Sequence, residues 1–118
     1  MSYDLGLKDQ VTGEWLELDE PHQMKGGTYQ LGGSDTAELN ITYNYGKHLR
    51  RVLGEGGIRS LYGKTGAETV PVLETATADL ADDVADNYWE PTEGNVKKAL
   101  LQCLALARLR PDGVWDGD

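Results

Sequence analysis

Asn40, Thr42 and Asn44 alternate with Leu39, Ile41, Tyr43 and Tyr45 along the run Leu-Asn-Ile-Thr-Tyr-Asn-Tyr. A strand sends successive side chains to opposite faces, so this spacing predicts one apolar face and one face of amides and a hydroxyl. Asn is depleted in strands, and a polar face of this kind suits a base or sugar that needs both donors and acceptors. The alternative role is structural, because Asx and Thr side chains also serve the backbone in turns and caps. Directly downstream lie Lys47, Arg50, Arg51, Arg59 and Lys64, with Glu55 the one acid among them. Such a segment would neutralise phosphate. Lys64 and Thr65 precede a predicted helix, whose free amides and dipole favour anions, and glycines between 54 and 66 permit close backbone approach. Tyr45 and Trp89 supply aromatic surface for stacking, or close the edge of a small core. The candidate ligand-binding residues are therefore Asn40, Thr42, Asn44, Tyr45, Lys47, Arg50, Arg51, Arg59, Lys64, Thr65 and Trp89, and the ligand they suit is small and phosphorylated.

Other chemistries lack their residues. Gly63-Lys64-Thr65 resembles the end of a phosphate-binding P-loop, but Ile58 stands where that motif requires its first glycine. Cys103 is the single cysteine, which excludes an internal disulfide and a cysteine-based zinc site. His22 and His48 are too far apart for metal-ligand spacing. Asp112, Asp116 and Asp118 do not follow a calcium loop. No catalytic residue, metal or cofactor is assigned.

Charge narrows the class of partner. The chain has 118 residues and a net charge of −9, a length that suits one domain. That charge disfavours direct nucleic-acid binding, which needs cationic surface. Residues 47–64 carry five bases against one acid, whereas residues 65–96 carry eight acids and no base. Asp79, Asp82, Asp83 and Asp86 fall at three- and four-residue spacing, so a helix there would crowd like charges on one face. This offers a second functional reading, an acidic surface at 79–93 that inhibits a basic protein or mimics nucleic acid. The bland reading is a solvated face. No apolar run approaches the ~20 residues of a membrane span, and no leader is visible, so the cytoplasm of a host cell is the expected location.

These residues need elements to position them. Tyr3, Leu5 and Leu7 alternate, and Trp15–Leu18 would return as a hairpin that Pro21 ends. Thr28–Leu31, bracketed by glycine pairs, is a short strand candidate, and 37–45 completes a small antiparallel meander. The second half reads as about three helices. One runs from Tyr45 to Leu53 with Asn44 as N-cap. A second follows the capping-box pattern Thr65-Gly66-Ala67-Glu68 and continues at helical spacing to Val84. It begins either at Thr65 or at Thr69, the latter placing Pro71 in its first turn. The third runs from near Thr92 to Arg110. It is apolar from Ala99 to Ala107 except for Gln102, which allows burial against its own sheet or a second subunit. The expected fold is α+β, one domain over 1–118, with helices packed on an antiparallel sheet.

Four stretches together carry a resemblance: Pro21-His22-Gln23-Met24-Lys25-Gly26-Gly27-Thr28-Tyr29, Asn40-Ile41-Thr42-Tyr43-Asn44-Tyr45, Gly63-Lys64-Thr65-Gly66-Ala67-Glu68, and Asp86-Asn87-Tyr88-Trp89 with Arg110-Pro111-Asp112-Gly113-Val114-Trp115-Asp116-Gly117-Asp118. The chain resembles a family of small phage- and prophage-encoded proteins of uncharacterised activity. What the resemblance implies is context, a non-enzymatic accessory protein that binds and disables a component of host defence or regulation. It carries no catalytic residues over. An enzyme acting on a phosphorylated substrate is the third reading.

Overall fold

Alternation of Tyr3, Leu5 and Leu7 with Ser2, Asp4 and Gly6 makes Ser2–Lys8 the first strand, β1. The computed structural model describes residues 2–19 and 35–118. In it β1 pairs antiparallel with β2 (Glu38–Thr42), in a register that sets Ser2 opposite Thr42 and Gly6 opposite Glu38. On its other side β1 pairs antiparallel with β3 (Val114–Gly117), setting Leu5 opposite Gly117 and Lys8 opposite Val114. The sheet order is β2-β1-β3. The α+β class expected from the sequence is the class found, and its third strand comes from the 114–117 segment.

The return at Trp15–Leu18 contributes isolated bridges rather than a full strand. Leu16 N–H donates to Leu7 O, Leu7 N–H to Ala37 O and Ala37 N–H to Leu16 O, each at 2.9 Å. Three chain segments thus meet in a closed triangle of main-chain bonds. The strand expected over 37–45 ends at Thr42, because the Thr42 hydroxyl accepts the Asn44 N–H and turns Tyr43–Tyr45 into a 3-10 helix. Asn44 is consequently not a helix N-cap. The strand expected at Thr28–Leu31 lies outside the described residues.

Three α-helices follow among the described residues: α1 (Gly46–Leu53), α2 (Gly66–Ala78) and α3 (Glu93–Leu109). A 3-10 turn at Gly57–Leu61 joins the first two. The capping box at α2 is complete. The Thr65 hydroxyl accepts the Glu68 N–H, and Thr65 N–H donates to Glu68 Oε1, both at 3.1 Å. The helix therefore starts just after Thr65, and Pro71 lies inside it. It stops at Ala78 rather than continuing to Val84, and the reason is electrostatic. Carboxylates at 79, 82 and 83 would stand at the negative end of the helix dipole and repel one another. Asp83 instead takes the Gly94 N–H at the start of α3, where negative charge is favoured. Asp79, Asp82, Asp83 and Asp86 thus share no helical face. Thr92 caps α3 by accepting the Asn95 N–H.

One core joins these layers. Leu5, Leu7, Leu39, Ile41 and Trp115 from the sheet bury against Leu49, Leu73, Ala76, Val96, Leu100, Cys103 and Leu106. Trp115 is fully buried, with its indole N–H donating to Thr69 Oγ1 at 2.8 Å. Among the described residues no helix is long and apolar enough to cross a membrane.

Candidate functional site

The alternation at 39–42 is real, but both faces are covered. Asn40 and Thr42 are each 1% exposed. Asn40 shares a sheet face with Ser2 and Asp4 of β1, and its Nδ2 donates to Ser2 Oγ and Asp4 Oδ1, both at 2.6 Å. Its Oδ1 is buried and has no partner among the described residues. Thr42 is spent on the 3-10 turn, and its N–H donates to the Tyr88 hydroxyl. Neither side chain opens onto solvent.

Asn44, Tyr45 and Trp89 belong together for another reason. Asn44 is exposed, and its Nδ2 donates to the Trp89 carbonyl at 3.0 Å. Tyr45 is buried, its hydroxyl donating to the Tyr88 carbonyl, and burial pushes its ionisation well above the usual phenol range. The Tyr88 ring meets Tyr45 edge-on at 5.5 Å and Trp89 at 5.0 Å. Behind them Asn95 accepts from Ala85 N–H and donates to the carbonyls of Asn87 and Glu90. Sequence reasoning missed Asn95. Its one local signal is its place three residues after Thr92, which marks a capped helix start and not the loop it organises.

The cations divide by the face of α1 they occupy. Arg51 turns toward α3 and pairs with Glu93 Oε1 at 2.8 Å. Arg50 turns the other way. Its Nη1 would lie 2.9 Å from a Cβ built on Gly46, with the Tyr3 hydroxyl 3.7 Å from the same point. Gly46 thus makes room for the guanidinium beside the ring of Tyr3. Arg59 covers that ring from outside, its Cζ 5.0 Å from the Tyr3 centroid and 6.0 Å from that of Tyr43. The two tyrosine rings pack edge-on at 4.5 Å. Arg59 Nε donates to the main-chain oxygen of Asp118 at 2.9 Å, which ties the side chain in place. Lys47, three residues before Arg50 and four before Arg51, is exposed on α1. Lys47, Arg50 and Arg59 have no ion-pair partner among the described residues, whereas Arg51, Arg108 and Arg110 each reach a carboxylate. Tyr3 and Tyr43 were not singled out from the sequence as ligand contacts, because strict alternation assigns both to the apolar face.

Lys64 and Thr65 lie apart from this cluster. Thr65 is consumed by the capping box, which also holds the Glu68 carboxyl below its ordinary range. The Lys64 main chain bonds Leu61 and Trp115. Nearby, a cleft of about 310 Å³ is lined by Lys8, Asp9, Gln10, Gly13, Gly63, Val114, Trp115 and Asp116. Its polar groups are turned on one another. Lys8 Nζ pairs with Asp116 at 2.8 Å while lying 4.6 Å over the Trp15 ring, and Asp9 Oδ1 closes its own turn through the N–H groups of Val11 and Thr12.

Half of the acids at 79–93 are engaged as well. Asp82 pairs with Lys97 at 2.7 Å, Asp83 caps α3, and Glu93 holds Arg51. No group of three His, Cys, Asp or Glu side chains that could hold a metal ion occurs among the described residues. The arrangement is thus a pair of tyrosine rings with Arg59 over them and Arg50 near the Tyr3 hydroxyl, an exposed lysine on α1, and a half-exposed indole on a loop tied through Asn44. Comparison of the chain with protein-family models, curated proteins and solved structures finds no match.

Proposed function

We propose that the protein is a binding protein for a small phosphorylated ligand of nucleotide type, held on the outward face of α1 by Lys47, Arg50 and Arg59 over Tyr3 and Tyr43. One observation carries the reading. In a chain of net charge −9, Arg50 and Arg59 reach no carboxylate side chain among the described residues, while Arg59 lies over the Tyr3 and Tyr43 rings and Arg50 passes Gly46 near the Tyr3 hydroxyl. Guanidinium forks suit phosphate oxygens, and the rings offer a surface for a base. Asn44, beside Tyr43 and tied to the Trp89 loop, has its side-chain oxygen left to accept from a ligand. Asn40 and Thr42 are buried and do not reach this surface, and Arg51, Lys64 and Thr65 are not assigned to it.

In the phage context that the sequence resemblance implies, such a protein would act in the host cytoplasm by sequestering a nucleotide signal of a defence or regulatory system. Isothermal titration with nucleoside mono- and diphosphates tests the reading, alongside native mass spectrometry of the freshly purified protein. Binding in the micromolar range that Arg50→Glu and Arg59→Glu each weaken by ten-fold or more is expected, since a hydrogen bond to a charged group contributes about 1.5–3 kcal/mol. Undiminished affinity in the Arg50→Glu, Arg59→Glu double variant would remove the ligand from this face. Turnover of the phosphorylated compound would make the protein an enzyme instead.

A further inference from the structure

Trp89 is 49% exposed, yet the loop that carries it is held from several sides. Asn95, only 6% exposed, spends both ends of its amide on the main chain of Ala85, Asn87 and Glu90. Asn44 and the Tyr45 hydroxyl bind the carbonyls of Trp89 and Tyr88, and the Tyr88 hydroxyl accepts the Thr42 N–H. Where the loop crosses the start of α3, a Cβ on Gly94 would stand 2.5–2.7 Å from the main chain of Asp83 and Val84. The Tyr88 ring buttresses the indole edge-on. An indole fixed in this way has lost in advance much of the freedom that docking would cost, and Trp is strongly enriched at binding hot spots.

Charge says what this indole would meet. Residues 65–96 carry eight acids and no base. Asp82 and Glu93 are matched by Lys97 and Arg51, whereas among the described residues no ion pair engages Asp86 or Glu90, three residues before Trp89 and one after it. A cation over an indole face is attracted by the ring quadrupole, Arg more often than Lys, and unpaired carboxylates beside it strengthen that attraction. We propose that Trp89, with Asp86 and Glu90, is the docking anchor for an arginine-bearing segment of a partner protein.

The test uses the untagged protein, a fluorescently labelled hexa-arginine peptide and its hexa-lysine counterpart, with anisotropy read at low and physiological salt. Salt-sensitive binding is expected, tighter for arginine, and weakened roughly ten-fold by Trp89→Ala. The Asp86→Asn, Glu90→Gln double variant, which alters only exposed groups, should weaken it as well. Thermal melting of Trp89→Ala should change little, because the loop is tied mainly by main-chain bonds, to which the half-exposed ring adds only its edge contact with Tyr88. Equal binding by wild type and Trp89→Ala overturns the proposal, as does the absence of binding to either peptide. A change in the sedimentation of the protein alone on Trp89→Ala also overturns it, since the surface would then belong to a second copy of the chain.

Discussion

Arg50 and Arg51 are neighbours in the chain but meet different surroundings in the fold, because one residue of helix turns a side chain by about 100°. Arg51 pairs with Glu93 at a largely solvated position, where such pairs contribute ~0–1 kcal/mol. Arg51→Ala should therefore lower stability by less than about 1 kcal/mol in urea denaturation and leave phosphate affinity unchanged. Arg50→Glu should show the reverse pattern, an intact melting curve and lost affinity. Cys103 is fully buried, which pushes its thiol up to about 12. An alkylating reagent at neutral pH should label it only as fast as the protein unfolds, measured by mass spectrometry against denaturant. Residue types in this chain announced a cationic segment, and spacing within it announced nothing about which cations are free. That depended on Glu93, more than forty positions downstream of Arg51. Asn40 and Thr42 show the same limit: alternation put them on one face, but whether a face is covered depends on segments far away in the chain.

Elements whose signals are local were legible, and those tied by distant groups were not. The capping box at Thr65 to Glu68 needs four consecutive residues and was readable as such. Its main-chain bonds hold the Glu68 carboxyl below its ordinary value of 4.5. A depressed carboxyl binds fewer protons in the folded state than in the unfolded one, so its contribution is present above about pH 4.5 and is lost as pH falls through the folded value. Acid titration followed by helical circular dichroism should show this loss, and Glu68→Gln should remove the corresponding pH dependence. The end of α2 was not readable from periodicity, since Leu80 keeps helical spacing and is buried although it lies beyond the helix. Charge repulsion near the helix end overrode the hydrophobic pattern. The loop that follows relies on Asn95, and Asn95→Ala should destabilise the protein by ~1–3 kcal/mol by leaving buried main-chain groups without partners. Hydrogen exchange should rise at Ala85, whose N–H it holds.

At the scale of the molecule, β1 is the centre of the sheet, and its partners come from the middle of the chain and from near residue 117. The α+β class was legible from strands followed by helices. The joining of Leu5 to Gly117 was not, because Val114–Gly117 is only four residues long and follows the stop signals Pro111 and Gly113. Trp115 on that strand fills the core and binds Thr69. Trp115→Ala should cost ~3–5 kcal/mol, a large share of the ~5–15 kcal/mol that holds a typical domain together, and equilibrium denaturation would read it directly. The same pairing has a practical consequence. Asp118 N–H donates to Asp4 O, Asp4 N–H donates to the Asp118 side-chain carboxylate, and the Asp118 main-chain oxygen in turn holds Arg59. A surface linker attached at Asp118 would meet the Arg59 guanidinium, which lies over the Tyr3 ring. A silent result from an immobilised or fused protein would then report the handle and not the molecule.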